Sequence, residues 1–251
     1  MEPDSRVHCP IAESCGGCAL IGRPCDEQLR LKRDRVVGEL RAFDRLHDLE
    51  VAGCRPAPWP TGYRNRAKLA VASSDDGVHL GLYARGTNRI VDLAPCVVQR
   101  DIVQRSLAPL RGWLADHGLA RPLGPVIYAD VRECVASRCH LTLVVSDVRD
   151  SGFDPALLPL DDLQRRWPDL DGVAINFGST DSSYPMGHET RTLRGSGRFR
   201  APAYEIGGEN LAFDVPAAGF FQVAPELLRD VHAAMRDHLG EEGPLLDLYC
   251  G

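Results

Sequence analysis

Hydrophobic and polar positions change period several times along the chain. In DEQLRLKRDRVVGELRAF, Leu29, Val36, Val37, Leu40 and Phe43 recur at helical spacing with the basic residues mostly opposite, and Asp26 stands where a helix cap would. The Pro-rich stretch CRPAPWPTG, from Cys54 to Gly62, then ends the helical pattern. AKLAVAS and VHLGLYA alternate as strands do, and the SDDG between them predicts a hairpin turn. DIVQRSLAPLRGWLADHG predicts a helix closing at Gly118. Further strands are predicted at PVIYADV, CHLTLVVSD, GVAINF and NLAFDV, with a fainter one at AYEIG. PELLRDVHAAMRDHLG is amphipathic, with Pro225 in its first turn and Gly240 past its end. PLLDLYCG closes the chain as an apolar strand running into a glycine turn. No internal repeat or low-complexity segment interrupts this order.

The pattern predicts an α+β protein in four parts. A cysteine loop occupies 1–26, a helix unit 27–53 and a β-rich central domain with an inserted helix 54–218. Residues 219–251 read as helix, loop, buried strand and glycine, the way a Rossmann-like parallel α/β domain begins.

At 251 residues and 44% apolar content, the chain can bury a sizeable core. It has no secretory leader pattern and no apolar run long enough to span a bilayer, so a cytoplasmic protein without membrane association is expected. The net charge of −6 gives no sign of nucleic-acid binding. Basic residues nonetheless cluster at Arg30–Arg35, at Arg64, Arg66 and Lys68, and at Arg191, Arg194, Arg198 and Arg200. Each cluster is either a solvated face or a local phosphate-binding patch.

The cysteines narrow the chemistry. An odd total of nine in a chain expected to be intracellular argues against a disulfide framework. HCPIAESCGGC places Cys9, Cys15 and Cys18 together without helical periodicity, which disfavours a helix-start dithiol motif. A zinc site and an iron–sulfur cluster both remain open on spacing, since either accepts thiolates with glycines between them. The fourth ligand would be Cys25, just before a helix, or Cys96 in the turn of VDLAPCVVQRD. Cys54, Cys134 and Cys139 lie in or beside strands and connectors and read as core thiols.

Five stretches in order, HCPIAESCGGC with EQLRLKRDRV, GYRNRAKLAV, LAPC, FDVPAAGFFQV and LLDLYCG, resemble the RNA uracil-5-methyltransferase family from end to end of the chain. The resemblance implies a class I enzyme that forms 5-methyluridine in 23S ribosomal or transfer RNA, using S-adenosylmethionine. It implies a [4Fe–4S] cluster on Cys9, Cys15, Cys18 and Cys96, and cofactor contacts from Gln222 and Tyr249. RNA contacts are expected from Arg64, Asn65, Arg66 and Lys68. A monomer is expected.

There are three departures. No room exists before Cys9 for the N-terminal β-barrel of many relatives, so the chain resembles the shorter cluster-bearing members. Position 224 is Ala where relatives often carry a polar residue. The family's catalytic cysteine and base are expected beyond Gly251, so no catalytic residue is assigned and the chain alone is expected to be inactive. Two other functions compete: a non-catalytic metal-bearing RNA-binding module and an iron–sulfur redox sensor.

Overall fold

A computed structural model describes residues 5–93, 95–146, 153–179, 185–202, 204–206 and 209–239. The predicted final strand, with Tyr249 and Cys250, lies outside them. Helix α1 spans Cys25–Leu40, with Pro24 rather than Asp26 at its cap. Strand β1 (Arg66–Ser74) turns through Asp75 and Asp76 into β2 (Gly77–Tyr83), as the hairpin pattern predicts. A short β3 (Ile90–Asp92) follows, then α2 (Asp101–Asp116), closed by Gly118 at φ +60°. Strands β4 (Val126–Cys134) and β5 (Arg138–Ser146) form a second hairpin. Helix α3 (Leu160–Arg166) leads into β6 (Leu170–Gly178), and β7 (Glu189–Arg194) pairs with it.

These seven strands form one sheet in the order β3-β2-β1-β4-β5-β6-β7. All its pairs are antiparallel except β5 with β6, which α3 connects as a crossover. The predicted NLAFDV strand is instead two short pieces, β10 (Glu209–Leu211) and β11 (Asp214–Pro216). β10 pairs with β9 (Tyr204–Ile206), and β11 with β8 (Arg198–Arg200). Helix α4 (Leu228–Leu239) comes last, entered through a single 3₁₀ turn at Pro225–Leu227. No helix among the described residues is long and apolar enough to cross a membrane.

The two faces of the sheet differ. One carries Leu69, Val71, Leu80, Val131, Leu141, Leu143, Val173 and Ile175, all buried in one cluster with Val103, Leu110, Trp113 and Leu114 of α2 and Leu163 of α3. Alternation along the strands puts Arg66, Lys68, Asp130, Arg132, His140, Thr142 and Asn176 on the opposite face. Asp130, His140, Thr142 and Asn176 are nonetheless buried, partly under the segment that carries Phe199, Ala201, Val215 and Ala217. A polar sheet face under cover must find its partners inside the protein.

Candidate functional site

The cysteine loop is laid onto the end of β2. Cys15 forms a bridge with Ala84, and the Gly16 N–H donates to the Tyr83 carbonyl at 3.0 Å. Gly16 is needed for this close approach because its neighbour is backbone, whereas the Leu82 side chain beside Gly17 can turn aside. A Cβ on Gly16 would lie 2.5 Å from the Tyr83 carbonyl oxygen, and one on Gly17 would lie 2.6 Å from Leu82. The Gly17 N–H also donates to Cys15 Sγ at 3.4 Å, and Arg85 holds the loop by donating to the Cys18 carbonyl at 3.1 Å.

Folded this way, the loop closes one side of a cavity of about 130 Å³. Cys9, Cys15 and Cys18 line it from the loop, and Cys96 lines it from the turn before α2. The Cys96 N–H donates to Gln104 Oε1 at 3.1 Å, and Gln104 in turn donates to the Gln99 carbonyl, which fixes that turn against α2. Arg64, Arg66 and Lys68 line the cavity as well. Burial pushes the Cys18 thiol up, as do the neighbouring Cys96, Cys15 and Cys9 sulfurs, while Arg64 pulls it down. Burial draws the Lys68 ammonium down, opposed by Asp130. Cys25 is absent from this cavity and borders a different one. No group of three or more His, Cys, Asp or Glu among the described residues is arranged to hold a metal ion.

The second cavity, about 470 Å³, is a groove between α1 and the start of α4, bordered by Gln28, Lys32, Trp59, Tyr63 and Gln222. The 219–226 segment that carries Gln222 is tied to the sheet at three points. Asn65 donates from its side chain to the Gln222 carbonyl at 3.2 Å and from its backbone to Val223 at 2.9 Å. Arg132 donates to the Gly219 carbonyl at 2.6 Å. Arg100 bonds both Glu133, at 2.8 Å, and Glu226. Tyr63 stands between the two cavities: it borders the groove, and burial, with help from the Cys18 and Cys96 sulfurs, raises its hydroxyl pKa.

The four residues of YRNRAK singled out for RNA therefore divide. Asn65 is 4% exposed and spends its side chain on the 219–223 segment. Arg66 is a partner of Asp130, with bonds of 2.8 and 2.9 Å. Arg64 and Lys68 are partly exposed and line the thiol cavity. Of the later arginines, Arg191 packs over Phe177 with 4.8 Å to the ring centre, and Arg194 pairs with Asp161.

Asp130 and Arg132 escaped sequence reasoning. Asp130 has no solvent exposure and accepts from both Arg66 and Arg132, whose guanidinium also lies 5.0 Å from the Phe199 ring centre. Within PVIYADVREC they read as the polar half of a strand, and only the cover over that face makes them a buried ion network.

No protein-family model matches the chain. It is 27% identical to an uncharacterized RNA methyltransferase of Streptococcus agalactiae over 97% of its own length and 54% of the relative's. The matching figures are 26%, 97% and 49% for an uncharacterized RNA methyltransferase of Geobacter sulfurreducens, and 30%, 98% and 54% for one of Nostoc. The fold matches the crystal structure of a Pyrococcus abyssi tRNA (uracil-54, C5)-methyltransferase in complex with S-adenosyl-L-homocysteine, with a TM-score of 0.64 and 21% identity, over 93% of this chain and 52% of that one. The chain is thus a distant homologue of proteins named RNA methyltransferases and spans about half of their length.

Proposed function

We propose that this chain is the cluster-bearing and RNA-facing portion of an S-adenosylmethionine-dependent methyltransferase that acts on uridine C5 in ribosomal or transfer RNA. The observation that carries the reading is the cavity bordered by Cys9, Cys15, Cys18 and Cys96 and by three basic side chains. A zinc ion would need four sulfurs converging to about 2.3 Å of one point. These thiols border one cavity of about 130 Å³, three of them from one loop and the fourth from a separate turn. That arrangement fits a [4Fe–4S] cluster, whose ligands sit at separate corners. Bound there, the cluster would cross-link the N-terminal loop to the turn before α2 and place negative charge beside Arg64 and Lys68.

In the proposed reaction a thiolate adds to uridine C6, C5 takes the methyl group from the sulfonium of S-adenosylmethionine with release of S-adenosylhomocysteine, and a base removes the C5 proton as the thiolate leaves. Neither that thiolate nor that base is assigned to a described residue. Cys134 and Cys139 do not qualify, since both are buried and burial pushes their thiols up, that of Cys134 to about 12. Arg64 and Lys68 would contact phosphates, and Gln222, held out beside its groove, would contact the cofactor through its side-chain amide. An iron–sulfur redox sensor, which needs an exposed and labile cluster, fits less well because Cys96 is 9% exposed.

The test is anaerobic purification of the full chain, with iron, sulfide and zinc measured per protein. Four irons and the brown absorbance are expected. Cys96→Ala should abolish both, and Cys25→Ala should leave them. Stoichiometric zinc without iron would overturn the cluster. Loaded protein with no affinity for single-stranded or structured RNA would overturn the RNA assignment.

A further inference from the structure

Beyond the thiol cavity, on the same end of the sheet, lies a shallow trough of about 540 Å³ bordered by Gly16, Tyr83, Arg85, Gly86, Thr87 and Asn88. Tyr83 ends β2 and is partly exposed, at 38% of the residue. The ring is not loose. Its hydroxyl hydrogen-bonds that of Tyr128 at 3.0 Å, and the two rings meet edge to face with centres 6.4 Å apart. Its backbone carbonyl is held by the Gly16 N–H. Between the tyrosines, Ala70 of β1 stands opposite both Tyr128 and Gly81. The exposed side of Tyr83 is therefore a rigid aromatic surface that costs little ordering on binding.

The surroundings select the ligand. The trough is lined by a hydroxyl, an amide, a guanidinium and glycine backbone, and no carboxylate borders it. A protein-docking site of this size would be expected to offer several apolar neighbours around the aromatic anchor. Here the anchor is single and its rim is polar and cationic. Arg85 donates one nitrogen to the Cys18 carbonyl, which places its guanidinium at the trough while leaving further N–H donors for an anion. One aromatic face for a base beside one arginine for a phosphate is how single-stranded nucleic acid is held without reading its sequence.

We propose that the Tyr83–Asn88 trough is a subsite for one unpaired nucleotide of the RNA, its base stacked on Tyr83 and its phosphate held by Arg85. The inference rests on the RNA reading above and adds an RNA-binding element outside both cavities. It also gives the cysteine loop a second role, because through Gly16 and Cys18 the loop positions both halves of the subsite.

The test compares two probes on the anaerobically purified full chain, a uridine decamer and an abasic decamer with the same phosphates, by fluorescence anisotropy. Tyr83→Leu removes the aromatic face and keeps an apolar side chain. It should weaken the uridine decamer by roughly five- to a hundredfold, the range seen when one stacking residue is lost, and leave the abasic decamer unchanged. Tyr83→Trp should keep or raise the affinity, and the new indole should be quenched by the uridine decamer alone. If the wild type binds RNA but Tyr83→Leu binds both probes as the wild type does, the subsite is wrong and the RNA reading stands. Equal loss of both probes would also overturn stacking, since it would report a disturbed loop. If the wild type binds neither probe, the subsite falls, and the RNA reading falls with it only when structured RNA is not bound either.

Discussion

Replacing Asp130 by Asn would remove the hub of the buried network. The carboxylate has no exposure and takes four N–H bonds: Arg66 Nε at 2.8 Å and Nη2 at 2.9 Å, and Arg132 Nε at 3.0 Å and Nη2 at 2.9 Å. Asn turns one accepting oxygen into a donating amide that faces guanidinium donors. It also removes the negative charge facing the Arg132 side chain, which is 3% exposed. Breaking one partner of such a pair costs about 3–5 kcal/mol. That is a large share of the roughly 5–15 kcal/mol a domain has in total. With a urea slope of about 2–3 kcal/mol per molar, the unfolding midpoint should fall by roughly 1–2 M. The assay is urea unfolding followed by the fluorescence of the buried Trp113 and Trp167. Glu189→Gln is the control, because its pair with Arg191 is more than half exposed on both sides, 55% and 59%. An exposed pair contributes about 0–1 kcal/mol and should move the midpoint only slightly. If Asp130→Asn shifts the midpoint no more than Glu189→Gln does, the network carries no stability and its role in holding Gly219 is wrong.

Three further outcomes follow from single residues. His140 is 1% exposed, neither ring nitrogen has a hydrogen-bond partner among the described residues, and burial lowers its pKa from 6.5 to about 4. Both states are neutral above 6.5, so stability should be level there, fall by about 1.4 kcal/mol per pH unit between 6.5 and 4, and flatten below. His140→Leu should remove that slope in urea titrations taken at several pH values, and an unchanged slope would assign it to other groups. In the β4–β5 turn, Ala136 and Ser137 sit at φ +57° and +53°, where a side chain is strained, so Ala136→Gly should raise the urea midpoint by an amount worth roughly 0.5–1 kcal/mol, and a lowered midpoint would refute the strain. Arg64→Glu should weaken RNA binding and lower the log–log salt slope by about one unit for each phosphate it no longer neutralises, while an unchanged slope returns Arg64 to the solvated surface. Arg66 is unsuited to that test, since reversing it would break its bond to Asp130 and unsettle the fold.

Legibility from sequence followed burial. Segments with one apolar and one polar face announced themselves: α2, the β1–β2 hairpin, β4, β5 and β6 all appear where the periodicity put them. The missed elements lack that contrast. In ETRTLR four of the six residues are exposed and the other two only partly buried, so edge strand β7 shows no apolar alternation. β3 and β8 are three residues each, and α3 has seven, with Leu163 its sole buried residue. The cysteine spacing was legible because a thiol-rich loop stands out without tertiary context, and the structure brings those four thiols to one cavity. Their setting was not legible. Charged residues on a strand look like a solvent face, and nothing in ADVREC discloses that Phe199 and Ala217 come back from later in the chain to cover it.

That cover explains why so many arginines here are structural. Strand β1 and the residues just before it serve both cavities within one short stretch. Tyr63 and Asn65 reach the groove and the Gln222 carbonyl, while Arg64, Arg66 and Lys68 reach the thiol cavity, with Arg66 bonded to Asp130. The thiol cavity and the Gln222 groove are therefore set by one rigid stretch. Val97 and Val98, next to Cys96, accept from the Gly62 and Arg64 N–H at 2.9 and 2.8 Å, so if the four thiols hold the proposed cluster, its loss should disturb the neighbouring Asn65–Gln222 contact, and metal content and the geometry of the groove should vary together.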